Sequence, residues 1–164
     1  MPIRPATAAD APAIAAMILP VIRAGEAFAL PRDLGEAAAL SYWCAPDHET
    51  FVMEEDGRPL GSYYLRANQR GGGDHVANAG YVVAADAQGR GVARTMARHS
   101  LDRARARGFA AMQFNFVVSS NTRAVALWQS LGFAIVGVLP GAFRRPVQGP
   151  VDTFVMFRSL QDVE

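Results

Sequence analysis

The run Gln88-Gly89-Arg90-Gly91-Val92-Ala93-Arg94 is the stretch whose residue types and spacing best suit chemistry. It follows an apolar run, Ala79 to Val83, that reads as a strand, and it opens a helical pattern continuing to Arg107. A glycine-rich turn between a strand and a helix leaves backbone N–H groups free at the positive end of the helix dipole. Gly89 and Gly91 carry no β-carbon to keep a diphosphate away from the backbone. The chemistry on offer is capture of an anion, most naturally a phosphate. Arg90 and Arg94, on the first helical turn, are placed to help, while the later arginines of the same helix face water.

Two well-known phosphate loops do not fit. A P-loop requires Lys followed by Ser or Thr after its second glycine, and the chain has no lysine. A dinucleotide fingerprint requires a third glycine where Arg94 stands, early in the chain. The turn does match the Q/R-x-x-G-x-G/A pattern of the GNAT family of N-acetyltransferases. About 30 residues further on, beyond another strand, Asn121-Thr122-Arg123-Ala124-Val125-Ala126-Leu127-Trp128-Gln129-Ser130-Leu131-Gly132-Phe133 resembles that family's second motif, N-x-x-A…Y-x-x-x-G-F. The start, Ile3-Arg4-Pro5-Ala6-Thr7 with Asp10, is similar as well.

The resemblance implies acetyl-coenzyme A as donor and a primary amine of a small molecule or peptide as acceptor, with direct attack in a ternary complex. It implies that the backbone from Gln88 to Arg94, including Val92 and Ala93, cradles the pyrophosphate. The backbone of Tyr81, Val82 and Val83 would pair with the pantetheine arm as if with a missing strand. A splay between that strand and Met112–Val118 would admit the cofactor. Asn121 would contact the arm, and it also suits the cap of the helix that follows. Trp128 stands where many family members have a tyrosine that protonates the leaving sulfur. Indole N–H donates a hydrogen bond but supplies no proton at neutral pH, so Trp128 is expected to pack against cofactor or core.

Amine attack on a thioester needs a neutral amine, alignment and an oxyanion donor. The backbone N–H near Val83 is the candidate donor. For the base, Glu26 is the first choice, in a loop that borders the acceptor site in this family; Asp74 with His75 is second, and a surface role is the plain alternative for all three. Asn115, mid-strand and opposite the aromatic face, is expected to face the cleft or to make a buried structural bond. Phe28, Tyr42 and Trp43 suit either an acceptor pocket or the core. Arg144 and Arg145 would favour an acceptor bearing a carboxylate or phosphate. The three histidines, at 48, 75 and 99, lack metal-ligand spacing, so no metal is expected, and His99 is read as solvated. The lone Cys44 is read as a small apolar residue. A non-catalytic acyl-coenzyme A binding module is the alternative function.

These residues need elements to hold them. Ile3–Pro5 reads as a short strand, and Ile14, Ile18 and Ile22 give one apolar helix face over Ala11 to Ile22. A second helix is expected around Gly35 to Trp43. Phe51–Glu54 and Leu60–Leu65 read as a hairpin turning at Asp56-Gly57. A flexible connection, Asn68 to Asp74, leads into the strand ending at Val83. Gly108 stops the long helix. In the strand Ala111 to Val118, Met112, Phe114, Phe116 and Val118 are expected on one face. Two late strands, roughly Ala134–Leu139 and Thr153–Arg158, flank a Pro/Gly-rich loop. The expected fold class is α+β, an α/β sandwich. Its central sheet is mixed and mostly antiparallel, splayed at the cofactor cleft and flanked by helices, in one domain over residues 1–164. With 164 residues, 51% of them hydrophobic, and a net charge of +1, the chain suits a globular protein rather than a nucleic-acid or membrane binder. No signal-peptide pattern opens it, which points to the cytoplasm. A homodimer is compatible with this reading.

Overall fold

The computed structural model describes residues 1–161. In chain order the elements are β1 (Ile3–Pro5), α1 (Ala11–Ala24), α2 (Glu36–Trp43), β2 (Glu49–Glu55), β3 (Arg58–Ala67), β4 (Val76–Val83), α3 (Val92–Ala106), β5 (Ala111–Val118), α4 (Thr122–Ser130), β6 (Ala134–Arg145) and β7 (Gly149–Ser159). One seven-stranded sheet runs β1-β2-β3-β4-β5-β7-β6. Every neighbouring pair is antiparallel except β4–β5. The mixed sheet between helical layers is the expected α+β sandwich.

Local chemistry accounts for the elements. In the 3-10 turn Ala8–Asp10 that leads into α1, Asp10 and Thr7 form a capping box, and Arg4 donates to both Asp10 carboxylate oxygens at 2.8 and 2.9 Å. This bidentate contact holds the Asp10 carboxyl down at about 2. The β2–β3 turn needs two positive φ angles, and Asp56 and Gly57 supply 51° and 76°. Ile14, Ile18 and Ile22 of α1 pack with Trp43 of α2 onto Val52, Tyr64 and Val82 of the sheet. On the opposite face, Met96 and Leu101 of α3 and Trp128 of α4 pack against Phe51, Tyr63, Met112 and Phe114.

Four local expectations change. The late strands extend through the Pro/Gly-rich stretch, with bulges between Ile135 and Gly137 and between Leu139 and Phe143. Gly141, at φ 58°, donates its N–H to Asp152 Oδ1 at 2.9 Å, and an edge strand tolerates Pro140. A bulge between Phe114 and Val117 breaks the alternation of β5. Val117 therefore joins Phe114 on the α4 side, and Phe116 meets Phe143 instead, ring centroids 6.2 Å apart. His99 is tied to the buried Tyr63, Nδ1 to hydroxyl 2.6 Å, and partial burial lowers its pKa. The connection before β4 carries a short 3-10 turn, Gly71–Gly73.

Candidate active site

β4 and β5 pair through their backbones only at Val76–Ala111 and Ala77–Met112, and then part. Side chains close the root of this wedge: the buried Asn78 donates Nδ2 to the Gln113 carbonyl at 2.9 Å. On the other edge of β4, Val76 O accepts from Asn68 N and Ala84 N donates to Leu60 O. Backbone groups alternate sides along a strand, so the amides of Ala79, Tyr81 and Val83 point away from β3 into the opening. They form a row of donors without a strand partner; of the expected Tyr81, Val82 and Val83, the amides of Tyr81 and Val83 face the opening and that of Val82 faces Ser62 of β3. The Tyr81 side chain lies on the α3 side, its hydroxyl 2.6 Å from Ser100 Oγ, and burial raises its pKa. Val82 points the other way, into the α1/α2 layer.

At the end of β4 the chain makes a 3-10 turn, Ala85–Ala87, and then the glycine turn. Gly89 and Gly91 both have φ 78°, in the left-handed region that favours glycine. No protein atom lies within 4 Å of where a Cβ would stand at either residue, so the turn is open. Thr95 N is bonded to Gly91 O, which leaves the amides of Val92, Ala93 and Arg94 as the free first turn of α3. Gln88 and Arg94 are exposed. Arg90 turns away to Glu55, Nη2 to Oε2 2.6 Å, so the backbone rather than its guanidinium faces an incoming anion.

Asn121 caps α4, its Oδ1 accepting from Ala124 N at 3.3 Å, and it also lines the opening. Trp128 packs on Tyr81 and Phe114, ring centroids 5.0 and 4.6 Å apart, as a wall and not as a proton source. Between these groups and the α1/α2 layer lies a cavity of about 300 Å³.

The second wall comes from Phe28, Leu30, Tyr42, Trp43, Tyr64 and Arg66; Phe28 and Trp43 serve pocket and core together, while Tyr42 is exposed and lines only the pocket. The Tyr42 and Tyr64 hydroxyls are 3.1 Å apart. Burial pushes the Tyr64 phenol up, which keeps it a neutral hydroxyl. Its ring stacks on His48 at 4.2 Å and lies over Gly80, where a Cβ would fall 2.6 Å from ring carbons. Asn115 lines the cavity and is also held structurally: it donates to Asn68 Oδ1 at 2.6 Å and accepts from Gln113 Nε2 at 2.9 Å.

The expected polar residues of the acceptor side are distributed differently. Glu26 is paired with Arg145, Oε2 to Nε 2.5 Å, and stands just before the lining residues 27–30 without itself lining the cavity. Arg144 is exposed outside the lining, and Asp74 and His75 lie on the surface. Cys44 is exposed rather than buried, and desolvation raises its thiol pKa, which disfavours thiolate. Tyr64 and Arg66 are among the lining residues that sequence reasoning missed. Their signal was the β3–β4 register, which sets Tyr64 beside Gly80 and Arg66 beside Asn78.

Comparison with known proteins adds independent information. The model of the acetyltransferase (GNAT) family matches residues 22–133. N-acetyltransferase aca1 of Schizosaccharomyces pombe is 31% identical over 122 residues, 72% of this chain; the match spans 58% of that longer protein. The structure of a GCN5-related N-acetyltransferase from Kribbella flavida superposes with a TM-score of 0.92 at 43% identity, covering 96% of each chain. The Salmonella typhimurium protein yncA, solved with its cofactor acetyl-CoA, shares the fold at a TM-score of 0.87 and 23% identity, over 100% of this chain and 96% of that one.

Proposed function

Because the chain belongs to the acetyltransferase (GNAT) family, we propose that it transfers the acetyl group of acetyl-coenzyme A to a primary amine of a small molecule or peptide, by direct attack in a ternary complex. The observation that carries this reading is the row of unpaired amides at Ala79, Tyr81 and Val83, which leads to the glycine turn. An amide-bearing arm can add to β4 as a strand would, and its diphosphate then meets the N-terminus of α3. Gln88 to Arg94 hold the pyrophosphate, the backbone of Tyr81 to Val83 holds pantetheine, and Asn121 and Trp128 flank the arm.

The amine nitrogen attacks the thioester carbonyl carbon, and the Val83 N–H stabilises the oxyanion. As the tetrahedral species collapses, the C–N bond stays, the C–S bond breaks and sulfur leaves as thiolate. A thiol pKa near ~8.5 makes that departure tolerable without a dedicated acid, which suits Trp128 in the second motif. The proton lost by nitrogen passes through water to Glu26, the carboxylate next in sequence to the lining.

An acceptor screen with thiol detection tests the proposal. Amine-dependent release of free coenzyme A supports it. Tight acetyl-coenzyme A binding with no amine-dependent release across a broad panel refutes transfer. That result would favour an acyl-coenzyme A binding module, a reading supported by the lack of Asp, Glu and His in the cavity lining.

A further inference from the structure

Resting on the transfer reading, we propose that the acceptor is a small molecule bearing an oxyanion, above all a carboxylate, beside its amine, and that Arg66 is the residue that reads it. Arg66 is the one charged side chain among the residues lining the cavity. It projects from β3 beside Asn78 and is half-buried. Only its Nε is engaged, donating to Asn78 Oδ1 at 3.4 Å. Among the described residues, neither Nη group has an acceptor. Asn78 is itself held by its bond to the Gln113 carbonyl, so it fixes the Arg66 stem and leaves the guanidinium fork free.

The other arginines set this in context. Arg70, Arg94, Arg98, Arg123 and Arg144 also have no hydrogen-bond partner among the described residues, but all are exposed and solvated by water. Every remaining arginine has a carboxylate or a backbone carbonyl. Arg145, which the sequence offered for an anionic acceptor, is committed to Glu26. Arg66 alone combines partial burial, a place in the cavity wall and an unused fork.

A guanidinium in a largely apolar cavity needs a counter-charge, and the lining supplies none. A carboxylate matches the fork with two parallel bonds, and phosphonate or sulfonate oxygens serve the same donors. The charge balance favours the same acceptor. A simple alkylammonium would bring a second cation beside Arg66, whereas an amino acid carries its own neutralising group. A cavity of about 300 Å³ suits a molecule of that size.

The test uses coenzyme A-saturated protein and the proteinogenic L-amino acids, each paired with its α-carboxamide. Taurine and 2-aminoethylphosphonate, set against ethylamine, distinguish carboxylate from other oxyanions. Binding is read by calorimetry, and kcat/KM by thiol release from acetyl-coenzyme A. The best acid should bind about ten- to a hundredfold better than its carboxamide, as a charge-assisted pair implies. That preference should shrink to about twofold in Arg66→Gln and be intermediate in Arg66→Lys, which keeps charge but not the fork. Coenzyme A affinity should be unchanged in both variants, showing that they fold. Carboxamides binding as well as acids, a preference surviving in Arg66→Gln, or no acid binding at all would overturn the proposal. Selective binding of acids without any thiol release would refute transfer while leaving Arg66 as the anion reader.

Discussion

Gly80 gives the most direct test of how the acceptor wall is built. A Cβ there would stand 2.6 Å from two Tyr64 ring carbons and 2.7 Å from its hydroxyl. Ordinary contact begins near 3.4 Å, so the ring must retreat by roughly 0.8 Å. It has little room to do so, being stacked on His48, packed edge-on to Trp43 and bonded to Tyr42. Gly80→Ala should therefore carry an overpacking penalty of about 1–3 kcal/mol. Without Tyr64 the same change should be neutral or stabilising by about 0.4–1 kcal/mol, because alanine restricts the unfolded chain and the φ at residue 80 is not left-handed. A double-mutant cycle of Gly80→Ala with Tyr64→Ala, followed by urea denaturation, should thus show a coupling of about 1–4 kcal/mol. In thermal melts each kcal/mol should appear as about 2–4 °C. Equal effects of Gly80→Ala in both backgrounds would refute the packing argument.

At the glycine turn, Gly91→Glu should cost about 1–2 kcal/mol in stability, from the left-handed φ rather than from any clash. It should weaken coenzyme A binding at least about tenfold in calorimetry by setting a carboxylate against the pyrophosphate; retained affinity would remove the turn from the site. Trp128→Phe should lower kcat/KM by less than about tenfold, against the roughly 10²–10⁴-fold loss expected of a general acid. Glu26→Gln should lower kcat by about 10²-fold or more if the carboxylate takes the proton, while releasing a half-buried ion pair worth about 1 kcal/mol in denaturation. Stability should fall in two pH windows. Burial depresses the His99 pKa, so its contribution is complete above the unfolded value of 6.5 and is lost as pH drops below it; His99→Gln should flatten that step in urea midpoints. The Arg4 contact holds Asp10 at about 2, so its contribution is present above 3.8 and is lost as pH falls toward 2.

The geometry of the glycine turn and of the α4 cap was legible because its signals are local. The left-handed φ at Gly89 and Gly91 and the Asn121 cap are each set within a few residues, and the splay of β4 from β5 followed from the family resemblance those motifs carried. The acceptor side is assembled by distance. Tyr64 and Arg66 acquire their roles only when the β3–β4 register sets them against Gly80 and Asn78, across a connection with no periodicity to read. Glu26 finds Arg145 at a separation of 119 residues, which no local pattern encodes. The late hairpin was misread because Pro140 and Gly141 act as breakers inside a sheet, whereas β6 lies at the edge and absorbs them in a bulge. His99 was misread because helix periodicity ranks a face by polarity, and its partner Tyr63 lies on another element.

The cavity's two walls come largely from opposite halves of the chain: residues 27–66 supply one, and the β4 edge, Asn121 and Trp128 supply the other. The walls touch where Tyr64 meets Gly80 and Arg66 meets Asn78, so substitutions there couple, while those elsewhere on the two walls tend to be additive. Away from those contacts, mutational drift in the first half can therefore remodel one wall while the other wall and the glycine turn beyond it stay as they are. Chimeras joined near residue 75, between β3 and β4, would exchange one wall as a unit, and the Asn78–Gln113 bond at the root of the wedge would travel whole with the second half.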